Sequence, residues 1–519
     1  YEVAVYQGAD KTKLPTDAER TLLLKNPVKF FLSKEAEEGY IPNRELTSHA
    51  AGLAGQNFAY AFISGWLFYF CTNVLKISPK KVGLITGISR AWDAFNDPLV
   101  GGYIDKRSSR PGHKLRPYLM YLPLPIGIFS ALMFADLGLS ETAAIVYLLG
   151  VYLIWDTLYS FQDVGLWGMV AMASPHSSEH LRMAQWAQIG AGAGSVLLGV
   201  FPLILGAREK LGVSEPRLFM IGGLVCGLGG QLVSWLAVGV KERVENKPQE
   251  ESLLEGILMV RHNKILLTIA LAQILGALSP VIPGIYFFKY GVGTVQLGNT
   301  AMNGETLMFW FGILSGFPYS FAMFFAKILS KKLGGPKNVF IVSKSATILA
   351  RTAAYFIGFG SAKQIGLVAA LLAAASFPEG ASEIAKKSLW CDSIDYVEWK
   401  TGKRTEGISF SVQNFLSKLT GGITLVINGF VLDRLGFKES LGIAGQTARF
   451  YKWQWPIFML GPVVGMALFL LTILAINYPK AMKERVENEL IERRAAQAAV
   501  NENPAPGQSG GGELMNGAE

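Results

Sequence analysis

The chain has 519 residues, of which 50% are hydrophobic and 17% are charged, and its formal net charge is +9. Soluble domains carry about 25% charged residues, so this composition excludes an ordinary soluble protein and indicates one that crosses a membrane several times. Many of the basic residues lie in loops between apolar segments, so the positive charge does not indicate a nucleic-acid partner.

Apolar stretches of about 20 residues, long enough to cross a bilayer, recur along the chain. The predicted spans are 48–75, 82–104, 117–137, 141–172, 181–207 and 215–240 in the first half, and 264–291, 303–329, 338–360, 363–390, 405–432 and 453–478 in the second. These stretches predict an all-α membrane protein with twelve transmembrane helices in two six-helix bundles.

Polar stretches set the predicted domain limits. Residues 48–240 form the first bundle and residues 264–478 the second, and a cytoplasmic linker, 241–263, joins them. Residues 1–47 are predicted to form a cytoplasmic N-terminal segment. The cytoplasmic tail, 479–519, begins with a charged helical pattern and ends in a Gly-, Pro- and Ser-rich stretch that is typical of disorder.

The loops between the spans differ in charge. With the N-terminus placed in the cytoplasm, the internal loops contain these basic residues: Lys106, Arg107, Arg110, Lys114, Arg116, Lys241, Arg243, Lys247, Lys331, Lys332, Lys337, Lys400, Lys403 and Arg404. The outer loop at 136–141 contains no Lys or Arg. By the positive-inside rule, we expect a multi-pass protein of the cell (inner) membrane with both termini cytoplasmic.

Two similar basic turns occupy equivalent places in the two halves. The first begins at Gly102 and reads Gly-Tyr-Ile-Asp-Lys-Arg-Ser-Ser-Arg-Pro-Gly-His-Lys. The second begins at Ala326 and reads Ala-Lys-Ile-Leu-Ser-Lys-Lys-Leu-Gly-Gly-Pro-Lys. They indicate a duplicated six-helix unit, which is common in transporters and disfavours a signalling receptor. The alternative is that both are ordinary basic cytoplasmic turns.

The second span carries ionisable side chains at membrane depth. Asp93, Asn96 and Asp97 are spaced i, i+3 and i+4, so a helix gathers them on one face. An ionisable group at that depth costs about 2.5–3.5 kcal/mol on insertion scales, which favours a functional role. The structural alternative is that the two aspartates pair with Arg90 or cap a neighbouring helix.

The fourth span offers matching oxygen atoms. Ser160 and Asp163 lie one turn apart on one face, with Tyr159 and Trp167 nearby. With the second span they supply carboxylate, amide and hydroxyl oxygens, which a hard cation such as Na⁺ prefers. Three carboxylates close together in a low dielectric cannot all ionise without a cation, so the sequence predicts coupling to Na⁺ or H⁺.

The tenth and eleventh spans also contain ionisable groups. Lys418 lies in the middle of the eleventh span and needs a carboxylate partner or a cavity. The acidic cluster of the first half is the expected partner, and contact with substrate hydroxyls is a further possibility. Glu379 and Glu383 share one helix face, where they either line the cavity or pair with Lys344 or Arg351.

A charged stretch follows at the predicted cytoplasmic end of the tenth span. Asp392 and Asp395 precede Arg404 and Glu406 there. We expect these residues to form an ion-pair network that gates the inner mouth, in preference to a binding site.

The sequence gives no indication of an enzyme. It contains no Ser/His/Asp set, no metal-binding His/Cys spacing and no phosphate-binding glycine loop. No cofactor is expected apart from the coupling cation.

These motifs resemble those of the glycoside–pentoside–hexuronide:cation symporters of the major facilitator superfamily, typified by melibiose permease. The resemblance covers nearly all of residues 48–478. It is carried by Arg-Ala-Trp-Asp-Ala-Phe-Asn-Asp-Pro, which begins at Arg90, by the Arg-Pro-Gly-His-Lys turn at Arg110, and by later residues: Tyr159, Asp163, Trp167, Asp392, Asp395, Tyr396, Arg404, Thr405, Glu406, Ser411, Gln413 and Lys418. The fold that it implies is the major facilitator fold.

The resemblance also implies roles for individual residues. Cation binding falls to Asp93, Asn96, Asp97, Ser160 and Asp163, with Na⁺ at the first three and Asp163 bridging cation and sugar. Sugar contacts fall to Tyr159, Asp163, Trp167 and Lys418. Independently of the resemblance, we assign the inner gate to Arg110, Asp392, Asp395, Arg404 and Glu406.

Three departures from the family concern the substrate. Gln56 and Asn57 replace a Lys-Asp pair, Gln188 replaces an arginine, and Glu383 replaces a tryptophan. Asn57 and Gln188 can still hydrogen-bond to hydroxyl groups as neutral donors and acceptors. We therefore place Asn57, Gln188 and Glu383 in the substrate site and expect the coupling ion to be retained and the substrate to be altered.

The expected function is a monomeric, cation-coupled symporter in the lipid bilayer that imports a glycoside or related small sugar by alternating access. The alternative is a transporter of lysolipids or other amphiphiles on the same fold. The number of phenylalanines, 31, and the two neutral amides in the cavity are compatible with that alternative.

Overall fold

A computed structural model describes residues 40–106, 113–174, 177–244, 263–297, 300–402, 406–443, 445–475, 482–486, 488–490 and 492–493. Most of the predicted 1–47 segment and of the predicted 241–263 linker therefore lies outside the described residues, as does the end of the 479–519 tail.

The first half contains six helical spans, several of which consist of consecutive shorter helices. They are α1 (Asn43–Asn73), α2 (Pro79–Lys106), α3 (Arg116–Tyr121 and Pro123–Leu132), α4 (Glu141–Met172), α5 (Ser177–Leu197, Leu198–Val200 and Phe201–Ala207) and α6 (Glu215–Gly222, Gly223–Gly229, Gly230–Ser234 and Trp235–Gly239).

The second half contains another six spans. They are α7 (Lys264–Ala277, Gly284–Tyr286 and Phe287–Val292), α8 (Gly304–Ala322, Met323–Phe325 and Ala326–Leu333), α9 (Pro336–Ile357), α10 (Ala362–Thr401), α11 (Glu406–Arg434) and α12 (Ala448–Leu474). A two-stranded antiparallel hairpin, β1 (Val295–Leu297) and β2 (Thr300–Met302), joins α7 to α8, and a short 3₁₀ turn, Glu439–Leu441, precedes α12.

The described residues thus contain a helical span at each of the twelve predicted positions. Eight of these spans, α4, α5, α6 and α8 to α12, contain a helix that is long and apolar enough to cross a membrane. We call the side where α1 ends and α2 begins the predicted outer side, and the opposite side the predicted cytoplasmic side.

Several spans differ from their predicted limits, most of all α10, which continues to Thr401 although its predicted end is residue 390. Helix α1 begins at Asn43, five residues before the predicted span. The preceding Ile41 is 1% exposed, and its backbone N–H donates to Glu179 at 2.9 Å. Helix α3 is interrupted at Leu122, where a proline follows. Helix α7 is broken between Ala277 and Gly284, although the sequence predicted one continuous span.

Small residues bring α1 and α5 into backbone contact. A Cβ atom on Gly190 would lie 2.0 Å from the Ala50 carbonyl oxygen, and one on Gly194 would lie 2.1 Å from that of Ala54. Small residues commonly allow such close approach between membrane helices. The contact fixes α1, which carries Gln56 and Asn57, against the rest of the first half.

Helices α2 and α11 join the two halves. A Cβ atom on Gly83 would lie 3.0 Å from the Gly429 Cα atom, and one on Gly87 would lie 2.2 Å from a methyl group of Val426. Farther along, the rings of Phe95 and Phe415 meet edge to face at 5.8 Å. The two helices therefore run beside each other from the predicted outer side to mid-membrane, which determines where the side chains of α11 meet the first half.

Candidate functional site

The polar face of α2 is buried as predicted. Asp93 and Asn96 are 3% and 4% exposed, whereas the side chain of Asp97 is 31% exposed. The helical spacing brings the three onto one face, and this face is turned toward α4 and α11.

Ser160 of α4 connects two of these side chains. The Asn96 side-chain amide donates to the Ser160 hydroxyl at 3.0 Å, and that hydroxyl donates to Asp97 Oδ1 at 2.8 Å. Ser160 is itself 1% exposed. The structure therefore brings together the α2 residues and the α4 hydroxyl that the sequence placed in one site.

Lys418 of α11 completes this cluster from the second half. Its ammonium group donates to Asp93 Oδ1 at 2.5 Å and also to Asp97 Oδ2. The pairing of Lys418 with the acidic cluster is as predicted. Asp93 also faces Arg90, whose Nη1 lies 3.5 Å from Asp93 Oδ2, so part of the structural alternative holds as well.

Asp156 belongs to the same cluster, although the sequence reasoning did not assign it there. It is 2% exposed, lies beside the Asp93 carboxyl group and accepts a hydrogen bond of 3.5 Å from Asn96. Its position four residues before Ser160, on the same face of α4, was the available signal.

The charges in this cluster do not balance. With all carboxylates ionised, Asp93, Asp97 and Asp156 carry three negative charges. Lys418 and Arg90 supply two positive charges. Because unbalanced charge is costly in a low dielectric, the cluster favours one additional monovalent cation or a proton on one carboxyl group.

The same residues offer the donor chemistry of a Na⁺ site. Within the described part of the chain, no three His, Cys, Asp or Glu side chains are grouped as a metal site. The ammonium of Lys418 lies between Asp93 and Asp97, where it interacts with the oxygens that Na⁺ would use. The donor set, two carboxylates with the Asn96 and Ser160 oxygens, fits a hard monovalent cation once the ammonium moves.

Asp163 has a neutral partner. The Gln56 side-chain amide donates to Asp163 Oδ1 at 2.9 Å, and Gln56 is fully buried. The neighbouring Asn57 donates to the Leu53 carbonyl oxygen at 3.0 Å, within its own helix. A carboxylate and two amides thus lie side by side between α1 and α4, one turn of α4 away from Ser160.

Stacked aromatic rings lie beside the charged cluster. Tyr159 stacks on Trp155 at 5.0 Å and on Tyr60 at 5.3 Å. The Tyr60 hydroxyl accepts a 2.9 Å hydrogen bond from Arg90. Trp167, by contrast, packs against an apolar cluster toward the predicted cytoplasmic side.

Two of the other predicted substrate residues make no hydrogen bond to this cluster in the described part of the chain. Gln188 of α5 has an exposed side chain. Glu383 pairs with Lys386, one turn later on α10, at 2.6 Å, a partner that the sequence reasoning did not consider. Glu379 pairs with Lys344 and accepts a hydrogen bond of 2.7 Å from Ser343, which agrees with one of the two predicted alternatives.

Only part of the predicted inner gate lies within the described residues. Arg110, Arg404 and the side chain of Glu406 lie outside the described residues. Asp392 accepts hydrogen bonds of 2.9 and 3.0 Å from Lys483 of the tail, a contact that the sequence did not predict. Asp395 is half-buried, one turn farther along α10.

The described part of the tail packs on the end of α10. Val486 and Leu490 are 0% and 3% exposed, and the Trp399 indole N–H donates to Glu489 at 2.6 Å. Hydrogen bonds from Arg485 and Trp399 hold the pKa of Glu489 below its usual range.

The comparisons with known proteins all find transport proteins. The family model described as MFS/sugar transport protein matches residues 48–480. The uncharacterized symporter YjmB of Bacillus subtilis is 26% identical over 448 residues, which cover 83% of this chain and 91% of that protein. The isoprimeverose transporter of Lactiplantibacillus pentosus is 23% identical, covering 89% and 94%. The putative glycoside/cation symporter YagG of Escherichia coli is 24% identical, covering 83% and 91%.

Solved structures support the fold. The crystal structure of a D-xylose-proton symporter superposes with a TM-score of 0.52 at 13% identity and covers 82% of this chain and 96% of that one. A bacterial homologue of the lysosomal transporter Spinster, in an inward-facing conformation, gives a TM-score of 0.54 at 12% identity, covering 83% and 96%. Both likenesses concern the fold alone.

Proposed function

The chain belongs to the MFS/sugar transport protein family, and from this membership we propose that it is a cation-coupled secondary symporter that carries a glycoside or related sugar by alternating access. Relatives named as an isoprimeverose transporter, a raffinose carrier, a lactose permease and a glycoside/cation symporter support this substrate class. The fold is that of a twelve-helix major facilitator protein.

The observation that carries the proposal is the buried cluster between α2, α4 and α11. Asp93, Asn96, Asp97 and Ser160 supply oxygens for one cation, which would take the place of the Lys418 ammonium group. The coupling ion is either Na⁺ or H⁺. Asp163, one helical turn from Ser160, would link this cation to the sugar.

The proposed coupling uses Lys418 as an internal competitor of the cation. Lys418 lies on the second half and pairs with Asp93 and Asp97 of the first half. A cation bound between these carboxylates displaces the ammonium group and removes an attraction between the halves. Cation binding and the relative position of the halves are then linked, so each changes the free energy of the other.

The proposed substrate site lies beside the cation cluster. Asp163, Asn57 and Tyr159 offer a carboxylate, an amide and an aromatic face, a combination that suits a neutral, hydroxyl-rich ligand. Lys418, once displaced, can reach substrate hydroxyls. Trp167, Gln188 and Glu383 remain predicted substrate contacts.

We place the protein in the cell inner membrane as a monomer with both termini cytoplasmic. The basic character of the predicted internal loops supports this orientation. Arg110, Asp392, Asp395, Arg404 and Glu406 are proposed to close the inner mouth.

The binding test is a thermal-shift screen of the purified protein. Raffinose, lactose, aminosugars and lysolipids are added at two pH values, in NaCl or in choline chloride. A ligand that binds only the folded state raises the melting temperature. We expect stabilisation by at least one sugar, enlarged either by Na⁺ or by the lower pH.

Variants identify the cation site in the same screen. Asp97→Asn should abolish the effect of the cation on sugar binding, whereas Glu209→Gln, which removes a carboxylate whose side chain is 87% exposed, should not. Stabilisation by lysolipids and by none of the sugars would favour amphiphile transport over this proposal.

A further inference from the structure

A second buried charged cluster joins the two halves at the predicted outer side. We call the following residues the outer cluster: Tyr69, Arg208 and Glu215 of the first half, and Lys289 and Glu305 of the second. The cation and substrate sites proposed above do not include it.

Lys289 lies at the centre of the outer cluster and is 5% exposed. Its ammonium group donates to both Glu215 carboxylate oxygens, at 3.0 and 3.2 Å, and to the Tyr69 hydroxyl. That hydroxyl donates to Glu215 at 2.7 Å. Lys289, Glu215 and Tyr69 are therefore hydrogen-bonded to one another, and Lys289 is the one that belongs to the second half.

A second ion pair makes the outer cluster neutral. Arg208 Nη1 lies 3.1 Å from Glu305, which is 3% exposed, and Arg208 Nε lies 3.6 Å from Glu215. Two cations face two carboxylates. Removal of one partner would leave an uncompensated charge in a buried place, which is costly.

Hydrogen bonds between uncharged groups also join the two halves at the predicted outer side. The hydroxyl groups of Thr72 and Tyr286 hydrogen-bond to each other, and Asn73 donates to the Tyr290 hydroxyl. Asn303 donates to the Gly206 carbonyl oxygen at 2.6 Å. Each of these contacts crosses from one half to the other.

The segment that carries Lys289 is separated from the rest of α7. Helix α7 breaks between Ala277 and Gly284, and its outer part continues as a π-helical turn, Phe287–Val292, a conformation that is frequent at functional sites. At the break, Ser279 donates to the Gly461 carbonyl oxygen at 2.6 Å. The break is thus held by α12, while the outer part is held by the first half.

We propose that the outer cluster is the ion-pair lock of the outer gate, and that residues 284–292 are its moving part. This inference rests on the proposed function, because a gate presupposes alternating access. Opening to the outside requires Lys289 to leave Glu215 and Tyr69, and the neutral Arg208–Glu305 pair separates in the same movement.

The test measures the width of the outer mouth directly. Nitroxide labels are placed at Leu211→Cys and Leu441→Cys, which are 58% and 41% exposed and lie on opposite halves, in a background without the native cysteines. Distances are recorded by pulsed electron spin resonance in lipid, without substrate. We expect Lys289→Gln and Glu215→Gln each to raise the ratio of the population at the longer distance to the population at the shorter distance at least tenfold, because each variant leaves a charge unpaired in the closed outer mouth.

Two comparisons between variants show whether the Lys289–Glu215 pair holds the outer mouth closed. Lys289→Gln and Glu215→Gln should be non-additive, because the double variant again has no net charge, and its ratio should be well below the product of the two single effects. Lys76→Gln is the matched control: Lys76 is 4.0 Å from Glu439 on the same side, but it is 70% exposed, and its loss should leave the distances unchanged.

If a charge variant does not fold, Tyr69→Phe provides the same test. It removes only the hydroxyl group, which contacts Lys289, Glu215 and Tyr290, and should widen the mouth to a smaller extent. Unchanged distances in all folded variants, or strictly additive effects, would overturn the lock. Cation-dependent sugar binding of the unmodified chain is measured separately, so failure of the lock and failure of the proposed transport function give different results.

Discussion

Ser160 is the side chain on which the proposed cation site depends most at the residue scale. Its hydroxyl is both an acceptor for Asn96 and a donor to Asp97, and thereby connects α4 to α2. The sequence predicted this grouping because the helical spacing within each span is fixed. Asp156 was not assigned to the site, because one more carboxylate on α4 has no distinguishing partner until α2 is packed against it.

Substitution of Ser160 tests this arrangement. Ser160→Ala removes the donor to Asp97 and one oxygen of the site, so we expect the cation affinity to fall about 10- to 100-fold, as for the loss of groups that orient ion ligands. Ser160→Thr retains the hydroxyl and should remain near the unmodified value. The cation concentration that gives half-maximal sugar binding is the measurement, and equal values for the two variants would contradict the assigned role.

Close contact between helices at glycine positions organises the molecule at the element scale. The Gly190 and Gly194 contacts between α1 and α5 keep Gln56 of α1 in reach of Asp163. Sequence patterns predicted the spans but not which helices touch, because an apolar helix can face lipid or protein equally well. The break in α7 was also missed, although Pro280 and Pro283 mark it in the sequence.

Adding a methyl group at one of these glycines tests the contact. In Gly194→Ala the new Cβ atom would lie 2.1 Å from the Ala54 carbonyl oxygen, so the helices must separate and the melting temperature should fall. Gly192→Ala is the matched control, because nothing lies within 4 Å of its Cβ position. A similar melting temperature for both variants would contradict the close α1–α5 contact.

The docked tail permits a further prediction at the element scale. Glu489→Gln weakens the contacts with Trp399 and Arg485, so amide hydrogen exchange of residues 482–490 at fixed pH should become faster. Glu492→Gln, at an exposed position nearby, should have no effect.

The pKa of Glu489 gives the pH dependence of the same contact. Arg485, which lowers this pKa most, belongs to the tail itself, but the hydrogen bond from Trp399 is lost when the tail leaves α10. Through that bond, docking is favoured at neutral pH and weakens as the pH falls through the lowered pKa of Glu489. Unchanged exchange in Glu489→Gln would indicate that the other contacts, those of Val486, Leu490 and Lys483, are sufficient to hold the tail.

At the scale of the whole molecule, two clusters of largely buried charged side chains join the two halves in the described part of the chain. Lys418 of the second half pairs with Asp93 and Asp97 in mid-membrane, and Lys289 of the second half pairs with Glu215 at the predicted outer side. The sequence predicted the two halves and the first pairing, because a lone lysine in mid-span requires an acid. It did not predict the second, since Lys289 and Glu215 lie near the ends of spans, where charges are common.

The most direct test of cation-coupled transport is sugar uptake into proteoliposomes under an imposed cation gradient. Radiolabelled raffinose and lactose are supplied with an inward gradient of Na⁺, of H⁺ or of neither. We predict that one of the two gradients drives accumulation of a sugar above its external concentration, that Asp93→Asn and Asp97→Asn abolish this accumulation, and that Glu209→Gln preserves it. Uptake that is the same with and without both gradients, or accumulation that persists in Asp97→Asn, would contradict the proposed coupling.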